Sequence, residues 1–282
     1  MINMKQKELI STIDLFPKLD KKLIDLLKSL SESDWKKQTL APSWTVKDIA
    51  VHLLDGNIRT LSMLRDGYFG EKPENVNTYE DLVSYLNRLN ADWVKAMKRV
   101  SPQILVELLE STGKEYFTYL QSLDLFANAT FSVAWAGEKI SANWFHIARE
   151  YTEKWHHQQQ IRFAVGQEDE LYSKEFYYPY LETSMQALPH HYRNVKAENS
   201  DTIRFRVLGD GGGVWNLCSG IDSWFLTTDI KNEPICEVEI KSEIAWRIFT
   251  KGITKQEAES QSKIVGKKDL GIKIFEMLAV MA

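Results

Sequence analysis

Apolar residues in the first two thirds of the chain recur at three- and four-residue spacing, and this period predicts helices from about residue 4 to 194. A first helix is expected over Lys5 to Leu30, where Leu9, Ile13, Phe16, Leu19, Leu23, Leu26, Leu27 and Leu30 form one stripe and Pro17 is placed to bend it. A second is expected from Thr45, an N-cap residue type, to Arg65, with Gly67 ending it. The third carries Leu82, Leu86, Leu89, Trp93 and Met97 between Thr78 and Val100. Ser101-Pro102 then caps and opens a fourth, which runs to about Leu123. A fifth is expected over Ser141 to Val165, ahead of Gly166, and a sixth over Lys174 to Tyr192, broken at Pro189.

The pattern changes after Asn194. TIRFRVLGDGGGVWNLCSG reads as two strands joined by a Gly-rich turn, and SWFLTTD as a third. CEVEIKSEIAWRIFTKG reads as a strand running into a short helix capped by Ser242, SKIVG as a last strand, and DLGIKIFEMLAVM as a closing helix. The fold class is therefore α+β with two domains: a helical bundle over 1–195, expected to fold by itself, and a small α+β domain over 196–282. GDGGG lacks the Lys-Ser/Thr and the helix that follow a phosphate-binding loop, so it is read as a hairpin turn.

Composition narrows the function classes. The chain has 282 residues, and its 44% hydrophobic content is enough to build a core and too high for intrinsic disorder. With 35 Lys+Arg against 39 Asp+Glu the net charge is −4, leaving no excess to neutralise a nucleic-acid backbone. No nucleic-acid partner is expected. The N-terminus lacks a secretory apolar stretch and no run approaches the roughly 20 apolar residues of a membrane span, so a cytoplasmic protein with no membrane partner is expected. Cys218 and Cys236 have no C-x-x-C spacing and are expected to be reduced thiols.

Candidate chemistry concentrates in HIAREYTEKWHHQQQIR, residues 146 to 162, which holds three of the six histidines and two glutamates on one expected helix. Residues four apart share a helix face, so Glu153 and His157 can point at one ion with a carboxylate oxygen and an imidazole nitrogen. His146 and Glu150 are also four apart, and His156 lies about 100° round from His157, so the pair alone does not choose the register. A third ligand must come from elsewhere, and His52 in SWTVKDIAVHLLDG is the other upstream histidine on an expected helix. A histidine among Ile49, Ala50, Leu53 and Leu54 is commonly a hydrogen-bonded core residue, so that reading stands beside the ligand one. Asp48 and Asp55, a turn either side of His52, and Gln158, Gln159 and Gln160 are candidates for orienting ligands, with capping or solvated roles as the alternative. Trp44, Trp144 and Trp155 are candidate pocket walls or core residues, and His190 and His191 are expected to be structural.

The two segments resemble a known family. SWTVKDIAVHLLDG is similar to the Trp-x-Val-x-Asp-x-x-x-His-Leu segment of the DinB-like, mycothiol-dependent maleylpyruvate isomerase family, and EKWHH to its Glu-x-Trp-x-His segment. The resemblance implies that His52, Glu153 and His157 bind one divalent metal, zinc first, with nickel, iron or manganese also suited to that donor mix. It extends into the C-terminal region, where VWNLCSG, SWFLTT, AWRIFTKG and the closing segment are similar to the family's sterol-carrier-like domain. The implied activity is isomerisation, or S-transfer to a small electrophile, with a low-molecular-weight thiol as second cofactor and a small molecule as substrate. A substrate-binding arginine of the family falls near RIFTKG, where this sequence offers Arg247 and Lys251 as candidate catalytic residues. Two other readings remain: a metal-dependent hydrolase with Glu150 or an aspartate as base, and a non-catalytic module that binds an apolar ligand beside a structural metal.

Overall fold

The computed structural model describes residues 8–71, 73, 76–230 and 233–281, so the Lys5 start of the first expected helix lies outside the described residues. A 3₁₀ turn, Ile13–Leu15, leads into α1, Phe16–Ser29. Pro17 sits in the first turn of α1, where its missing N–H costs no helix bond, so it opens the helix instead of bending it. A four-residue helix α2, Glu32–Trp35, follows with a Ser31/Asp34 capping box. Helix α3, Val46–Thr60, continues as a π-helical stretch, Leu61–Arg65, and Gly67 takes the positive φ of +69° that ends it.

Helix α4, Tyr79–Met97, begins behind Thr78, whose side chain accepts from Asp81 N, and α5, Pro102–Gln121, behind the expected cap Ser101, whose side chain accepts from Ile104 N. Helix α6 spans Asn143–Val165, with Gly166 at a φ of +72°. The sixth expected helix is broken at residues 186–187 into α7, Lys174–Met185, and the short α8, Leu188–His191, whose first turn holds Pro189.

The chain forms a mostly helical N-terminal region and a C-terminal five-stranded sheet domain. Its contacts group into two compact units, one of residues 13–124 and 153–168, the other of residues 8–12, 125–152 and 169–280. In the first unit α3 packs against α4 and α5, and α1 against α5. Leu23, Leu27, Val46, Ile49, Leu54, Leu105, Leu109 and Ile161 close its core.

The second unit is built around strands β1 (Thr202–Val207), β2 (Gly213–Ser219), β3 (Trp224–Thr227), β4 (Cys236–Ile240) and β5 (Lys263–Gly266), in the order β3-β2-β1-β4-β5. Only the β1–β4 pair is parallel. The Gly-rich segment is the expected hairpin turn: a Cβ on Gly212 would stand 2.1 Å from the Val207 carbonyl oxygen, so no larger residue fits. Helices α7 and α8 are tied into the same unit. Tyr177 donates to Ser242 O at 2.6 Å, Tyr192 to Leu270 O at 2.9 Å, and Trp215 Nε1 to Glu182 Oε2 at 2.8 Å.

Two local expectations for this region change. Helix α9 covers Ser242–Phe249 with Lys241 at the cap position, so Ser242 does not cap it; its hydroxyl donates to Leu208 O. The closing segment is only α11, Lys268–Gly271, and a 3₁₀ turn, Ile272–Glu276, before the chain extends at Met277. An additional helix, α10, Lys255–Ser260, opens with a Thr254/Glu257 capping box. Both cysteines are free, and burial pushes the Cys236 thiol up to about 11, which leaves it protonated and unreactive at neutral pH. Among the described residues no helix is long and apolar enough to cross a membrane.

Candidate metal centre

The site is built from α3 and from the part of α6 that begins at Glu153, both in the first unit. Helix α3 is started by the Thr45/Asp48 capping box, in which Asp48 Oδ2 accepts from Thr45 N at 3.0 Å and Thr45 Oγ1 accepts from Asp48 N at 3.4 Å. The aspartate of the Trp-Thr-Val-Lys-Asp segment is thus a helix cap, and His52 follows it by one turn. Immediately before the cap, Trp44 is fixed by its backbone. Its carbonyl accepts from Thr39 N at 3.2 Å, Thr39 Oγ1 at 2.7 Å and Gln38 Nε2 at 2.9 Å. The indole lies 4.8 Å from the His52 ring and 6.3 Å from the His157 ring, centroid to centroid, so it walls both imidazoles.

From α6, Glu153 and His157 project on one face, with His157 Nε2 3.5 Å from Glu153 Oε2. The His52 and His157 rings meet edge-on, 4.6 Å between centroids at 73°. Donor atoms of His52, Glu153 and His157 all lie within 4.8 Å of one another, and this is the group of three among the described residues with the geometry to hold a metal ion. Burial, followed by the nearby His157, pushes the His52 pKa well below its usual value against the opposing pull of Glu153. A neutral imidazole is the ligating form. Its Nδ1 is buried without a hydrogen-bond partner, a cost that coordination or a bound ligand would relieve. Glu153 keeps 22% of its side chain exposed and His157 11%, so the group can be reached from outside.

The surroundings sort the other candidates. Of the three glutamines only Gln160 reaches a ligand: its Oε1 lies 2.9 Å from His157 Nδ1. Gln159 donates to Glu168 O at 3.0 Å, and the Gln158 amide faces Leu19 and Leu23 of α1. Asp55 pairs with Arg59 at 3.1 Å and does not orient His52. His156 is buried, and its ring lies 3.9 Å from that of His157, centroid to centroid, tilted by 38°. Trp155 is fully buried in the core. One feature of α6 is not foreseen from the sequence: Lys154 is buried and paired with Asp20 at 3.0 Å, its ammonium 4.9 Å from the Tyr116 ring centroid.

The remaining candidates belong to the second unit. His146 Nε2 stands 3.7 Å from Glu150 Oε1, and Glu150 also pairs with Arg149. Among the described residues no third metal-ligating side chain joins them. Trp144 packs on Phe145, 5.3 Å between ring centroids. His191 Nε2 lies 2.7 Å from Lys273 O, and the His190 ring packs against Gly137. Arg247 Nε donates to Gly252 O at 3.1 Å, and Lys251 takes a positive φ of +59° at the end of α9.

The model of the family described as mycothiol maleylpyruvate isomerase N-terminal domain matches residues 16–162, a span that includes all three members of the group. No curated protein matches the chain. Among solved structures, the mycothiol-dependent maleylpyruvate isomerase and a mutant of it are similar to this chain at 11% identity and a TM-score of 0.49, over 88% of this chain and 91% of theirs.

Proposed function

The chain belongs to the mycothiol maleylpyruvate isomerase N-terminal domain family, and from that premise we propose that it is a metal-dependent enzyme using a low-molecular-weight thiol to isomerise, or transfer sulfur to, a small electrophile. The observation that carries this reading is the convergence of His52, Glu153 and His157, with donor atoms within 4.8 Å of one another. Two imidazoles and a carboxylate suit zinc, and iron, nickel or manganese less selectively. A divalent metal held by three protein ligands supplies Lewis acidity at a remaining coordination position, where it lowers the pKa of a bound thiol.

The chain's own groups set the conditions for that chemistry. His52 stays neutral through burial, His157 offers Nε2 toward Glu153, and the Trp44 indole makes one wall apolar, which favours the organic part of a ligand over water. A thiol cofactor held beside His52, Glu153 and His157 would supply a sulfur nucleophile that adds reversibly to a conjugated cis double bond and leaves it trans, with no net gain or loss of atoms. The reading draws the nucleophile from outside the chain, because neither free cysteine joins the group of His52, Glu153 and His157. Within it, residues 1–195 are the DinB-like domain, residues 196–282 the sterol-carrier-like domain, and Arg247 and Lys251 the cationic candidates for substrate recognition.

Cobalt-substituted protein tests the reading. Titration with mycothiol, bacillithiol, glutathione or cysteine should produce an intense sulfur-to-metal charge-transfer band with at least one of them. No band with any of the four, beside measurable hydrolysis of a model ester, would favour a metal-dependent hydrolase instead.

A further inference from the structure

A histidine offers a metal only one of its two ring nitrogens, and the proton must sit on the other. In His157 the two nitrogens face different groups. Nε2 lies 3.5 Å from Glu153 Oε2, on the side of the three-residue group, and Nδ1 lies 2.9 Å from Gln160 Oε1. Gln160 is buried, and its place one turn after His157 on α6 fixes this pairing through the helix itself.

We infer that Gln160 is a positioning residue of the metal centre: its side-chain oxygen accepts the Nδ1–H of His157, holds the proton there, and keeps Nε2 unprotonated for a metal. The inference rests on the metal-centre reading above. Its physical content is specific. The opposite amide orientation would donate to Nδ1 and place the proton on Nε2, which disables ligation. An outer acceptor of this kind also raises the basicity of the ligating nitrogen and holds the ring's rotation, effects that together change metal affinity by about 10- to 100-fold. Gln158 and Gln159, on the same helix, are committed to Leu19 and Leu23 and to Glu168, so the role does not extend along the glutamine run.

Two readouts test this, neither of them activity. In a long-range proton–nitrogen spectrum of metal-free protein, the His157 ring should be the Nδ1–H tautomer; an Nε2–H ring overturns the inference. In calorimetric titration with zinc, Gln160→Leu should bind about 10- to 100-fold more weakly than the unsubstituted chain, while Gln160→Glu, which keeps an acceptor, should bind as well or better. Circular dichroism melts of each variant report whether the fold is retained, and if Gln160→Leu unfolds, Gln160→Met takes its place. Equal affinity in a folded acceptor-free variant contradicts the inference. A chain that binds no zinc at all would instead defeat the metal-centre reading, with the tautomer measurement still deciding what Gln160 does.

Discussion

Helix α3 with the second half of α6, and helix α9 with its following turn, each carry polar side chains that the sequence marks as chemical candidates, and they use them in opposite ways. On α3 and α6 the polar groups converge on one point: His52, Glu153 and His157 face one another, and the buried Nδ1 of His52 has no hydrogen-bond partner. At α9 the observed contacts are local ones at the helix end. Arg247 donates to the Gly252 carbonyl while Gly252 N returns a 2.7 Å bond to Arg247 O, and Lys251 supplies the left-handed residue that closes the helix. A buried polar atom without a partner costs free energy, and in His52 it belongs to a ring that lies within reach of Glu153 and His157.

The largest effect that sharpens this contrast is expected from Trp246→Ala. Trp246 is fully buried in α9 and donates to Tyr172 at 3.0 Å, so truncation should cost about 3–5 kcal/mol in denaturant melts. Metal content of the folded fraction should not change. If that variant loses metal in proportion to the His52 variant, the separation between the chemical and the structural region fails.

A smaller effect comes from His146, whose pKa is lowered by burial, with Glu150 opposing and Arg149 reinforcing the shift. The unfolded chain takes up a proton on this imidazole below about pH 6.5 while the folded chain resists it. Stability present above that range should therefore fall on acidification, by up to about 1.4 kcal/mol per pH unit from this group. Melts between pH 7 and 5 should show a shallower loss in His146→Gln; superimposable slopes would mean that burial does not hold this ring neutral.

Smaller again is the cap. Asp48→Ala removes the acceptor for Thr45 N and should cost about 1 kcal/mol, with metal retained once the protein is folded. Loss of metal at unchanged stability would instead give Asp48 a role in orienting His52.

These residues also show what was legible in the sequence. Helix α3 could be read because two signals agree, the Thr45-x-x-Asp48 box and the apolar stripe through Ile49, Leu53 and Leu54. The existence of α6 could be read, but its register could not. Trp155, Gln158, Gln159 and Ile161 are buried on different sides of the helix, so burial leaves no single stripe to orient the ligands, and His146–Glu150 competes at the same spacing. The choice comes from His52, a residue about 100 positions away, brought near only by packing, and from the family segments that contain it. The Lys154–Asp20 pair was illegible for the same reason, since 134 residues separate the partners. In the C-terminal region the strands and the Gly-rich hairpin were legible. The pull of α7 and α8 toward the sheet was not, because it rests on tyrosine hydroxyls reaching carbonyls at 2.6 and 2.9 Å, a contact with no period in the sequence. Helix α10 did leave a signal, the Thr254-x-x-Glu257 box, in a segment too short to show a stripe.

The central claim is that α3 and α6 carry a metal on His52, Glu153 and His157, and elemental analysis of purified protein tests it most directly. The unsubstituted chain should hold about one divalent ion, His52→Ala, Glu153→Ala and His157→Ala should each hold far less, and His146→Ala and His156→Ala should hold as much as the parent. Metal retained in the first three variants, or lost only from the last two, would contradict the account.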